Sequence, residues 1–203
     1  FAIANYSNVK DSTISGGYCN SILAEEESVK LRGSTIGGGR YNCIYSDEND
    51  AYLSHSTISG GYCNVISGVL SYHSFLGGGY NNQINGGYAP RNVIVAGADN
   101  SIDNGNTSLI GGGRYNEING AYHSGIMSGK CNVINGGYAS VQTILGGYNN
   151  TNSSYESHVI GSNITTDRTC TAFVNNLSIK DIPTAATGLP SGAVWNNAGV
   201  LNI

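Results

Sequence analysis

A short apolar–glycine–asparagine unit repeats along most of this chain, and that repetition restricts it to an array of stacked turns. The segment Ile14-Ser15-Gly16-Gly17-Tyr18-Cys19-Asn20-Ser21-Ile22 returns at Ile36 to Ile44, Ile58 to Ile66, Leu76 to Ile84, Ile94 to Ile102, Ile110 to Ile118 and Ile126 to Ile134. An eighth copy opens at Ile144 but carries Asn152 where the closing apolar residue is due, and a worn ninth follows at Ile160. The first apolar residues lie 22, 22, 18, 18, 16, 16, 18 and 16 positions apart.

Each copy reads as strand, tight turn, strand. In Ser12-Thr13-Ile14 and Ser56-Thr57-Ile58 the hydroxyl residues alternate with the apolar one, the period-two pattern of a half-buried strand. The paired glycines let the backbone turn sharply at positive φ. The Asn-x-Ile end then starts a second strand with an apolar residue facing the core. A variable loop completes the unit, often Asn-Gly-Gly-Tyr-Ala, as in Asn85 to Ala89 and Asn135 to Ala139. The longest units carry insertions there, Ala24 to Glu27 and Asp47 to Asp50. Glycine in every unit and the lack of a 3.6-residue pattern argue against helix.

The expected fold is therefore all-β: a β-solenoid or β-roll of about nine Gly-rich rungs of 16–22 residues. Rungs ~4.8 Å apart give a body on the order of 40 Å long. It spans residues 1–167, and residues 168–203 form a β cap that covers the open last rung or joins chains. Ile3 to Val9 reads as a repeat one residue short, and a start at Phe1 rather than Met reads as a fragment of a longer chain.

Charged residues make up 11% of the chain, against about 25% in an average globular protein, and the net charge is -4. With no Lys/Arg cluster there is no basic stripe for a nucleic acid. No apolar run approaches the ~18 residues of a spanning helix, so no membrane insertion is expected in this segment. A core one apolar residue deep on each side of every turn is thin, which implies that stacking between units, and between chains, completes the burial.

Candidate chemistry is sparse, and no cofactor or metal is expected. The five cysteines include no CxxC pair. Cys19, Cys63 and Cys131 share one repeat position and read as small half-buried side chains, with symmetric interchain disulfides as the alternative. His55, His73 and His123 lie three residues ahead of a first apolar residue and His158 two; solvent-facing or Tyr-stacked rings are expected. Asp99, Asp103, Asn104 and Asn106 around Gly105 lack the acidic closing ligand of a calcium loop and read as Asx turns. Glu25-Glu26-Glu27 and Asp47-Glu48-Asp50 read as solvated loops.

Two recurrent positions stand out. Asn20, Asn42, Asn64, Asn82, Asn100, Asn116, Asn132 and Asn150 recur at one place in the unit, and a stacked structural ladder of side-chain amides is expected there. Tyr18, Arg40, Tyr62, Tyr80, Arg114 and Tyr148 occupy the turn. Tyr and Arg are the anchor residues of recognition surfaces, and rows of Tyr with Asn and Ser are suited to stacking on sugar rings. These six are the candidate binding residues.

The Ile-x-Gly-Gly-x-x-Asn-x-Ile unit, with Ser or Thr before it, resembles the head repeats of trimeric autotransporter adhesins of the YadA type over roughly residues 1 to 165. The units here are longer and less regular, with Gly-Gly-Tyr/Arg turns. That resemblance implies a β-roll in which three chains pack around a common axis. Gly188-Leu189-Pro190-Ser191-Gly192-Ala193-Val194-Trp195, followed by Gly199-Val200-Leu201-Asn202-Ile203, looks like the ends of phage and large-virus fibre proteins, where such a segment closes or continues a trimeric shaft.

The expected function is a structural fibre and attachment protein, a homotrimer on a virion surface or outside a cell, that displays a repetitive surface to a receptor or glycan. A phage or virus tail fibre is the first reading and a bacterial trimeric surface adhesin the alternative. A polysaccharide-degrading β-helix enzyme is the alternative of a different class. It would need paired carboxylates across a groove, and the acidic residues cluster in a few corners instead.

Overall fold

The computed structural model describes residues 2–3, 9–24, 31–46, 54–69, 71–86, 91–137, 140–178, 182–185, 187–191, 193–197 and 200–202. Its body is a parallel β-solenoid, and the described residues contain no helix. The first strands of the units, from Thr13–Ile14 and Thr35–Ile36 to Thr143–Ile144, stack with His158–Ile160 and Ala172–Val174 into a ten-stranded parallel sheet. The Asn-x-Ile strands, from Ser21–Ala24 and Cys43–Ser46 to Thr151–Asn152, form a nine-stranded parallel sheet headed by Ala2–Ile3.

Register is in phase from turn to turn. Ile14 pairs with Ile36, Ile36 with Ile58, and Leu76 with Ile94; on the other sheet Ile22 pairs with Ile44 and Ile84 with Ile102. A period-two strand can bury only one residue per short crossing, and the repeat puts Ile or Leu there each time. The result is two apolar columns, Ile36 to Val159 and Ile22 to Ile134, wholly shielded from solvent and fused into one core. Burying each of these side chains stabilises the fold by roughly 1.5–3 kcal/mol.

A third side absorbs the variable length. Val9–Lys10 pairs with Leu31–Arg32, and Leu31 is buried. Three residues ahead of the buried serines Ser34, Ser74, Ser108 and Ser124, each of which precedes a first strand, stand Leu31 and, in the shorter turns, Ser71, Gly105 and Ala121. Leu31 in the first 22-residue turn thus fills this side, whereas two 16-residue turns close over Gly105 and Ala121.

At the far end the apolar column stops at Asn152, which is fully buried and held by polar partners. Its Nδ2 donates to the Ser157 carbonyl at 3.0 Å, its Oδ1 accepts from Thr166 Oγ1 at 3.2 Å, and its carbonyl accepts from Gln142 Nε2 at 3.1 Å. A polar plug thus ends this column, while Val159, with Ile164 and Phe173 packed against the core, carries the apolar interior farther. Ala172–Val174 continues the ten-stranded sheet past residue 167, where the solenoid was expected to end. Farther on, Trp195–Asn197 and Val200–Asn202 form an antiparallel hairpin.

The amino-terminal register departs from expectation. Ile3 pairs with Ile22, not with the Ile14 column, so it belongs to a second strand, and Val9 lies beside Leu31. Ile3 and Val9 therefore do not bound one repeat: Ile3 lies on the nine-stranded sheet and Val9 on the third side.

Candidate functional site: an aromatic corner

Between the two sheets every turn passes one sharp corner. A column of parallel bridges runs along it: Tyr18 to Arg40, Tyr62, Tyr80, Ala98, Arg114, Lys130 and Tyr148. All six candidate binding residues therefore fall in one line on one edge. Ala98 and Lys130 belong to the same column; their offset in the repeat could have found them, but they are neither Tyr nor Arg.

The corner is built by glycine and asparagine. The glycine just before the bridge residue in each of these turns, Gly17 to Gly147, has φ between 85° and 115°, a region open to glycine at little cost. A Cβ on Gly61 would land on the Gly79 carbonyl and 2.6 Å from Asn64 Nδ2. The next residue but one is also left-handed, with φ of 51–57° at Cys19, Tyr41, Cys63, Asn81, Asp99, Tyr115, Cys131, Asn149 and Asn163. Asn and Asp tolerate that region; Cys and Tyr enter it here because the neighbouring turns fix the backbone. Cys63 N–H, for example, donates to the Arg40 carbonyl at 3.0 Å.

The recurrent asparagines form the ladder expected of them. Asn42 N–H and Nδ2–H both donate to Asn20 Oδ1, at 3.0 and 3.2 Å. Asn42 Nδ2 also reaches back to the Gly38 carbonyl and onward to the Gly61 carbonyl, each at 3.0 Å. The pattern runs to Asn150, whose Oδ1 accepts from Ile164 N–H at 3.0 Å. These amides are buried and fully engaged, so they hold the corner rather than bind a ligand.

Outside this scaffold the tyrosine rings pack on one another. Tyr18 and Tyr41 meet edge to face at 5.7 Å, Tyr41 and Tyr62 at 5.5 Å, and Tyr62 and Tyr80 stack at 5.5 Å and 4°. Tyr18 and Tyr80 keep more than half of their surface in solvent, 55% and 53%. Arg40 lies over the Tyr18 ring at 5.3 Å and Arg114 over Tyr115 at 4.5 Å. Arg114 also pairs with Asp99 at 3.4 Å, and Tyr115 and Asp99 together raise its pKa. The Tyr62 hydroxyl is pushed above its ordinary pKa, chiefly by Cys63, then by burial and by Tyr41 and Tyr80. The edge carries Arg40, Arg114 and Lys130 against Asp99, with Glu117 opening the adjoining strand, while the whole chain has a net charge of -4.

The opposite corner holds His55, His73 and His123, each at a left-handed φ, whereas His158 opens a strand of the ten-stranded sheet. His55 and His73 stack on each other at 5.3 Å, with Tyr72 edge-on to His73. His158 Nδ1 shares a 2.8 Å hydrogen bond with Thr143 Oγ1 on the adjoining strand. Behind this corner lies a second polar column that the sequence reading missed. Ser34, Ser56, Ser74, Asn92, Ser108, Ser124, Gln142 and Ser157 are buried, and Ser108 Oγ donates to the Ala121 carbonyl at 2.8 Å. Asp99 and Asp103 sit in different columns, so the residues around Gly105 do not converge. Among the described residues no three His, Cys, Asp or Glu side chains group closely enough to hold a metal ion. All described cysteines are free thiols; Cys19 is exposed, and Cys63 and Cys131 are half-buried. The acidic loops Glu25 to Glu27 and Asp47 to Asp50 lie outside the described residues, as do Tyr88 and Tyr138.

The outer face of the ten-stranded sheet changes along the rod. Outward positions are Thr13, Ser15, Thr35, Thr57 and Ser59 at one end. Farther on they become Phe75, Val93, Val95, Leu109, Met127, Leu145, Ile160 and Val174, interrupted by Thr143 and His158. Leu145 and Ile160 are each 50% exposed and Val95 47%. Among the described residues no helix is long and apolar enough to cross a membrane.

No protein-family model matches the chain, and searches of curated proteins and of solved structures return no significant match.

Proposed function

We propose that this chain is a section of a homotrimeric fibre that serves attachment, a structural protein without catalytic chemistry. The observation that carries the reading is the corner column, in which one outward position is presented eight times in line and mostly filled by Tyr, Arg or Lys. Repeated weak contacts along such a line add up through avidity to useful affinity for a receptor or glycan. The apolar outer face supports the assembly. A strip of half-exposed aliphatic side chains on a flat sheet is the kind of surface a second copy covers. With the fibre-like carboxy-terminal segment, a phage or virus tail fibre on the virion surface is the favoured setting, and a bacterial surface adhesin shares the same body.

The test is absolute mass by light scattering, followed by attachment of the labelled protein to cells and immobilised glycans. A mass three times that of one chain, with saturable attachment, supports the reading. A folded single chain that attaches to nothing removes it.

A further inference from the structure

Between the seventh and eighth turns the aromatic corner opens into a recess of about 490 Å³ lined by Lys130, Cys131, Tyr148 and Asn149. We propose that this recess is a subsite for an acidic sugar, a pyranose ring bearing a carboxylate. The inference rests on the attachment reading and gives it a ligand class.

Three features converge on that chemistry. Tyr148 is 54% exposed and presents a ring face on which the apolar side of a pyranose can stack. Its position is set by neighbours: Asn163 Nδ2 donates to the Tyr148 hydroxyl at 2.9 Å, and Tyr148 N–H donates to Ser162 Oγ at 3.1 Å. Lys130 is exposed and has no ion-pair partner among the described residues, unlike Arg114, which Asp99 already holds. An unengaged ammonium beside an aromatic face selects a carboxylate, and the largely apolar lining of the recess strengthens the attraction. Asn149 supplies the amide that hydroxyl groups need, and its side chain is steadied by a 3.1 Å hydrogen bond to Asn163 Oδ1. Asn149 sits at a left-handed φ of 55°, which turns it to the outside of the corner.

The recess is specific to this place. Higher on the same edge the rings of Tyr18, Tyr41, Tyr62 and Tyr80 fill one another's space. At Ala98 the column has no side chain to stack on. Arg40, the other cation of this edge without an ion pair among the described residues, lies over the Tyr18 ring, whereas Lys130 faces the uncovered ring of Tyr148 on the next turn.

The experiment titrates the whole chain with three probes: oligosaccharides bearing glucuronate, oligosaccharides ending in sialic acid, and neutral cellohexaose. Lys130→Ala and Tyr148→Ala are compared with the unaltered chain. Both keep the fold, because alanine already stands in this column at Ala98. Alkylation of Cys131 is followed by peptide mass, with Cys19 and Cys63 in the same repeat position as internal controls. The expected result is binding of an acidic probe that weakens with salt, shields Cys131 alone, and falls about tenfold or more in each variant. The acidic probe that binds tells a polymer of uronates from a terminal sialic acid. Equal binding of cellohexaose, or acidic binding untouched by both substitutions, overturns the subsite while leaving attachment intact. If no sugar binds but the chain still attaches to cells, the subsite is overturned and a protein receptor is indicated. Loss of both sugar binding and cell attachment overturns the attachment reading itself.

Discussion

Asn82 Oδ1 accepts two hydrogen bonds from Asn100, from its backbone N–H at 3.1 Å and from its side-chain Nδ2–H at 3.0 Å. One buried oxygen thus ties a turn to the next through both main chain and side chain. Asn82→Ala strands the Asn100 backbone N–H, leaves Asn100 Nδ2 only its bonds to the Ala96 and Gly113 carbonyls, and takes one donor each from the Gly78 and Gly97 carbonyls, of which Gly97 still accepts from Tyr80 N–H. We expect a loss of about 3 kcal/mol in denaturant unfolding. Asn82→Asp, which has the same shape but turns a carboxylate towards those carbonyls, should cost at least as much at neutral pH.

The two glycines of one pair answer differently to alanine. At Gly61, φ is 92° and an added Cβ would lie 2.8 Å from Gly79 N, so Gly61→Ala should destabilise by more than about 3 kcal/mol. At Gly60 the nearest atom is 3.9 Å away, and Gly60→Ala should change stability by less than about 1 kcal/mol. Matched thermal melts of the two variants check this.

The exposed aliphatic strip gives a test of assembly apart from folding. Leu145→Glu alters a side chain that is 50% exposed and outside the core, so the β circular-dichroism signal should persist. The mass by light scattering should fall from three chains to one. Thr35→Glu, on the same face but in its polar part, should leave the mass at three chains.

Cys170 donates its thiol hydrogen to Glu156 Oε2 at 3.3 Å, and this bond, then burial and the charge of Glu156, raise its pKa. The folded state therefore favours the protonated thiol. That contribution is complete below the pKa of the unfolded thiol and is lost as pH rises through the folded one. Cys170 should alkylate more slowly than Cys19 at mildly alkaline pH, although both are exposed. Glu156→Gln should shift its rate profile to lower pH.

Cys19 and Cys63 stand in one column with Tyr41 between them, so two rungs, ~9.6 Å, separate their backbones. That exceeds the ~7 Å limit for a disulfide. Oxidation should yield covalent dimers and higher species on a non-reducing gel and no Cys19–Cys63 crosslink within a chain.

What the sequence revealed follows the physics of repetition. The isoleucine columns and the Asn20-to-Asn150 ladder were readable because in-register stacking gives each member the same surroundings and so the same residue type. The turn line of Tyr18, Arg40 and Tyr62 was readable for the same reason. Ala98 and Lys130 were not, because a solvent-facing position tolerates any side chain. The third side was hidden because Leu31, Ser71, Gly105 and Ala121 differ in size and in distance from the apolar markers. Ser56 shares the inward face of Ile58 in the period-two alternation and is buried with it, but a serine ahead of a strand carries no apolar mark of burial. Recesses such as that at Tyr148 depend on which ring happens to lack a neighbour, and a single-residue pattern does not encode that.

The in-phase ladders have a mechanical consequence. Their hydrogen bonds run along the rod, so tension applied end to end loads the turns in series. Each joint breaks only when its main-chain bonds and its asparagine link give way together. Adding turns therefore lengthens the reach and raises the compliance of the filament while leaving its breaking force that of a single joint.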